Sequence, residues 1–89
     1  MPTFLGRVAK TLELPMEVAE GMPQIELLGN REATVEHCQR VLEYNDKVVR
    51  LHTGRMVLRI SGRGLRMSYL AGDLVRVEGW FSTFEFQQP

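Results

Sequence analysis

The sequence has one cysteine, Cys38, so no disulfide can form within the chain, and a lone thiol suits a reducing compartment. Charge of one sign is also missing: 11 Lys and Arg balance 11 Asp and Glu. That balance argues against a generic nucleic-acid binder, which presents a strongly basic surface. No apolar run approaches the ~20 residues needed to span a bilayer. The amino terminus lacks the basic start and long apolar core of a secretory signal. These absences predict a soluble, cytoplasmic protein.

The groups that carry chemistry are equally sparse. The two histidines are His37 and His52, far apart in the chain. His37 and Cys38 are neighbours, and neighbouring strand residues point to opposite faces, so they are poorly placed to chelate one metal. No serine or cysteine stands in a local nucleophile signature. The glycines at 62 and 64 flank Arg63 between two strand-like segments and open no helix, so they form no phosphate-binding loop. We read the chain as not an enzyme, with no metal and no cofactor.

What is present is alternation. Residues 48–86 run as short segments of period two separated by glycine turns. Met56, Leu58 and Ile60 alternate with Val57, Arg59 and Ser61, and Leu65, Met67 and Tyr69 with Arg66, Ser68 and Leu70. A period of two sends one set to a core and the other to solvent. Upstream, Ile25 and Leu27 share a face, as do Ala33 and Val35, then Leu42 and Tyr44. Downstream, Val75 pairs with Val77 and Phe84 with Phe86. Gly79 marks a bulge or bend beside Trp80.

The connections are about two to four residues, which join only antiparallel neighbours. The expected fold is mainly β, an antiparallel meander of seven to eight short strands. It forms a rolled sheet or small barrel, or alternatively a solenoid-like stack. Residues 23–89 make this β-meander domain.

Residues 1–22 form a helical lead-in of one or two short helices. Thr3 caps the first, and Phe4, Leu5, Val8, Ala9 and Leu12 fall on one stripe. Such a helix is too short to stand alone in water. Either its stripe packs on the sheet, or Phe4, Leu5, Val8 and Leu12 dock on a partner. One domain of 89 residues buries only about 60–65% of its unfolded surface, which leaves a thin margin of stability and favours association.

Basic residues collect on the sheet. Between residues 47 and 76, Asp73 is the only acid, whereas Arg50, Arg59, Arg66 and Arg76 occupy polar positions beside inward apolar ones. They make either a solvated outer face or a docking face for an acidic partner. Trp80 and Phe81 are consecutive, so one of them points away from the core as a sheet-end cap or an interface anchor.

The segments MPQIELLGN, EHCQRVLEYND, VVRLHTGRMVLRISGRGLRM and LVRVEGWFSTFEF together resemble the YabP/YqfC family of sporulation proteins, the YqfC branch in particular. The likeness covers roughly residues 12–86. The chain departs from the family's pattern at Cys38-Gln39-Arg40, where a histidine or asparagine and a glycine turn are common.

The resemblance implies a mother-cell protein of endospore-forming bacteria. It implies a soluble partner of a membrane protein at the outer forespore membrane, and it transfers no catalytic residues. The function expected is an assembly or scaffold component that binds other proteins, itself included, through its sheet edges. The alternative is a small barrel holding an apolar ligand or lipid under Tyr44, Tyr69 and Trp80.

Overall fold

The computed structural model describes residues 22–89. The expected lead-in helices, with Phe4, Leu5, Val8 and Leu12, lie outside the described residues. No helix occurs among the described residues.

Six antiparallel strands form one sheet: β1 (Gln24–Leu28), β2 (Glu32–Glu36), β3 (Cys38–Tyr44), β4 (Val48–Thr53), β5 (Val57–Ala71) and β6 (Leu74–Gln87). Their order is β1-β2-β6-β5-β4-β3, and the sheet is not closed. The count is six and not seven to eight because β5 and β6 each join two segments read as separate. Gly62-Arg63-Gly64 lies inside the 15-residue β5, where glycine bends the strand without reversing it. Gly79 does the same inside the 14-residue β6. The order corrects the simple meander too: β2 pairs with β6, and β3 lies at the far edge.

The bend explains the core. No second layer covers the sheet among the described residues, yet Val35, Val49, Leu51, Leu58, Ile60 and Val77 are fully buried. The sheet covers itself. Val57–Ser61 of β5 pair with β4, while residues 66–71 pair with the first half of β6, which pairs with β2. The β5–β6 hairpin folds back so that its tip reaches the start of β3, where the Cys38 amide donates to the Asp73 carbonyl at 2.9 Å.

Two layers result, one holding β1 and β2, the other β3 and β4, with the long strands running through both. Their inner faces meet in one apolar cluster that includes Ala33, Val35 and Val75 from one layer and Leu51, Leu58 and Ile60 from the other. Burying each valine, leucine or isoleucine of this cluster contributes about 1.5–3 kcal/mol.

The link from β2 to β3 is a single residue, His37, held at φ 70°. Cys38, the next residue, begins β3 with its side chain buried. Thr53, the one buried polar residue among the described residues, donates its hydroxyl to the Met56 carbonyl at 3.0 Å.

Candidate functional site

Arg50, Arg59, Arg66 and Arg76 occupy outer positions of the bent sheet, each opposite or beside a glutamate. Glu43, Arg50, Arg59 and Glu85 are consecutive cross-strand partners on β3, β4, β5 and β6. Arg50 lies 3.5 Å from Glu43 and Arg59 lies 3.1 Å from Glu85. On the other layer Arg66 pairs with Glu78 at 3.0 Å and Arg76 with Glu32 at 3.6 Å.

The window of residues 47–76 hid these partners, because all four glutamates lie outside it. Cross-strand neighbours are set by pairing and not by distance along the chain. These four arginines therefore form two locally neutral rows, one per layer, and not one continuous basic face. Exposed pairs of this kind contribute at most about 1 kcal/mol each.

Of the two adjacent aromatics, Phe81 enters the core at 8% exposure and Trp80 stands on the outside at 46%. Tyr69 is also on the outer face, opposite Arg76, whereas Tyr44 pairs with inward-facing Val49. The three aromatics of the barrel reading do not face one interior. Tyr44 has a structural partner instead: its hydroxyl accepts from the Met67 amide at 2.9 Å.

That bond helps stitch one side of the roll. The Leu65 amide donates to the Asp46 carbonyl at 2.9 Å, and the Gly62 amide to the Lys47 carbonyl at 3.0 Å. With the Tyr44 and Cys38 bonds these contacts tie β3 and its turn to the bend and second half of β5 and to the β5–β6 turn.

The opposite side is open. Arg31 and Asn30, in the β1–β2 turn, accept from the Gly79 and Phe81 amides at 3.0 and 2.8 Å. Beyond that point β1 pairs with β2 alone, and residues 83–87 of β6 pair with β5 alone. Two strand edges thus flank a gap. Its inner face is apolar and uncovered: Leu27 is 51% exposed and Phe86 64%. Phe84 and Phe86 stack edge to face at 5.7 Å.

A cleft of about 140 Å³ lies between Leu27 and Phe84. It is smaller than the ~300 Å³ at which ligand pockets begin. An unpaired edge beside uncovered aromatic side chains is the geometry that accepts an added strand.

Cys38 is the other group the sequence singled out. Burial pushes its thiol up from the ordinary value, a backbone hydrogen bond at Arg40 lowers it, and Asp73 raises it further. The thiolate is thereby disfavoured in the native chain. Cys38 should react with iodoacetamide at neutral pH at least about tenfold more slowly in the native protein than in urea. Equal rates by mass spectrometry would overturn this.

The raised value also has a sign for stability. The contribution of the protonated thiol is complete below its unfolded value and is lost as pH rises through the folded one. Among the described residues no group of three or more His, Cys, Asp or Glu side chains is placed to hold a metal ion. No helix among them is long and apolar enough to cross a membrane.

A bent, self-covering antiparallel sheet with one stitched and one open side defines a small all-β domain with unpaired strand edges. The chain belongs to the YabP family, whose family model matches residues 20–89. That membership points to a protein connected with sporulation. No curated protein matches the chain, and no solved structure does.

Proposed function

We propose that this protein is a non-catalytic assembly component of endospore formation, of the YqfC branch, acting in the mother cell. It takes a strand of another protein into the gap between β1 and the end of β6. A membrane protein at the outer forespore membrane is the partner we favour, with pairing to a second copy as the competing use of the same edges. The observation that carries this reading is the open side itself: two unpaired edges flank exposed Leu27 and Phe86. Main-chain pairing would supply affinity, and the apolar inner face would select the incoming side chains. The LLGN turn and the closing aromatic-Phe-Glu-Phe strand support the branch assignment.

The test is recovery of tagged protein from detergent-solubilised sporulating cells, with light scattering on the purified chain. A membrane protein retained at near-equal amounts by the wild type and lost by Phe86→Glu is the expected result. Phe86 is exposed, so the variant should melt like the wild type. Equal retention by both proteins, or a strictly monomeric chain retaining nothing, would defeat the proposal. Reversing Arg59 and Arg66 should weaken capture at most about fivefold, because each already has an intramolecular glutamate.

A further inference from the structure

The outer face carries a second feature, at the bend, that none of the neutral rows includes. Trp80, the only tryptophan of the chain, has two guanidinium groups at its ring. Arg31 lies over its ring at 3.7 Å and Arg63, its partner across the β5–β6 ladder, at 5.5 Å. Arg31 is held in place by its Nε, which donates to the Gly79 carbonyl at 2.9 Å.

Among the described residues neither Arg31 nor Arg63 forms an ion pair, unlike Arg50, Arg59, Arg66 and Arg76. Tryptophan and arginine are the residue types that most often dominate the energy of protein interfaces. Here they are half-exposed and pre-stacked, so little side-chain freedom is lost on binding.

We propose that Arg31, Trp80 and Arg63 form a docking site for an acidic segment of a partner protein. Carboxylates of the segment pair with the guanidinium groups of Arg31 and Arg63, whose planar forks match them. An adjoining apolar group covers the indole. Leu28, 68% exposed in the strand that enters the Arg31 turn, extends the apolar margin.

The patch is compact. Glu78, two residues before Trp80 and paired to Arg66, bounds it on the same face. A phosphate backbone needs a continuous basic track and would meet that carboxylate, whereas one or two carboxylates need only the pair of arginines. This inference rests on the reading of the chain as a protein-binding module, but it uses a different surface from the open side. Phe86→Glu should therefore leave it intact.

Trp80 is its own reporter. The full chain is titrated at low salt with an eight-residue peptide of alternating glutamate and leucine, following tryptophan emission. The glutamine counterpart, phosphatidylglycerol vesicles and an eight-nucleotide oligouridine are run beside it. The expected result is a saturable change with the glutamate peptide, weakened about tenfold or more by Arg63→Glu and by replacing the peptide's glutamates with glutamine. Arg66→Glu, at another exposed position of the same strand, should shift binding no more than about threefold.

No saturable change, or equal binding by the glutamine peptide or by Arg63→Glu, would overturn the proposal. So would binding of the vesicles or the oligouridine in place of the peptide. A melt of Arg63→Glu matching the wild type excludes misfolding as the cause.

Discussion

Gly62→Ala should destabilise the protein by about 3 kcal/mol or more, among the largest effects available to a single added methyl group. The new Cβ would fall on the Trp80 carbonyl oxygen and within 3.0 Å of the Phe81 Cα, so backbone and not a flexible side chain would have to move. This is where the long hairpin folds back, and a shift there would separate the two layers that share one core.

For a domain of this size, about 3 kcal/mol lowers the midpoint of thermal unfolding by ~12–24 °C. Gly64→Ala is the internal control. Gly64 has φ 61°, but an added Cβ there meets nothing within 4 Å. Only the left-handed backbone penalty of ~1–2 kcal/mol applies to it. Circular dichroism melts in which Gly64→Ala matches or exceeds Gly62→Ala would refute the fold-back geometry. Gly79→Ala should resemble Gly62→Ala, since its Cβ would lie 2.7 Å from the Leu65 side chain and 2.8 Å from the Gly64 carbonyl.

Leu51→Ala should cost about 2–5 kcal/mol, by loss of transfer free energy together with the cavity left behind. Leu51 is 0% exposed and belongs to the cluster shared by both layers. With no helix over the sheet among the described residues, no nearby element can slide in to fill the space. Leu70→Ala, at a position 62% exposed, should change stability by less than about 0.5 kcal/mol. Urea unfolding of the two variants side by side measures the contrast. Similar midpoints would mean that Leu51 does not lie in a packed interior. A loss near the upper bound would consume much of the ~5–10 kcal/mol available to so small a domain.

The candidate sites were legible to different degrees. Alternation put Arg50, Arg59, Arg66 and Arg76 at outward positions, which is where they stand. It did not show Glu43, Glu85, Glu78 and Glu32 beside them, because those contacts join residues on different strands. The same blindness hid the Arg31–Trp80–Arg63 stack. Arg31 is 49 positions from Trp80, and nothing in its local sequence distinguishes it from the other turn arginines. The sequence did require that Trp80 and Phe81 part company, and the core took Phe81.

The sequence by itself determined the antiparallel β character, the faces of most strands and the family. Each of these follows from local information: a period of two, glycine spacing, and the order of segments along the chain. Met67 and Tyr69 mark the limit of that reasoning. The sequence placed them on one inner face, but the register shifts between them and Tyr69 turns outward, 46% exposed.

Tertiary structure alone decided that β2 pairs with β6, that β5 and β6 run unbroken through two layers, and that one side of the roll stays open. Backbone hydrogen bonds are chemically alike at every residue, so alternation specifies which face a side chain takes but not which strand lies beside it. That choice is made by the whole chain at once, when two glycine bends let one sheet bury its own inner face.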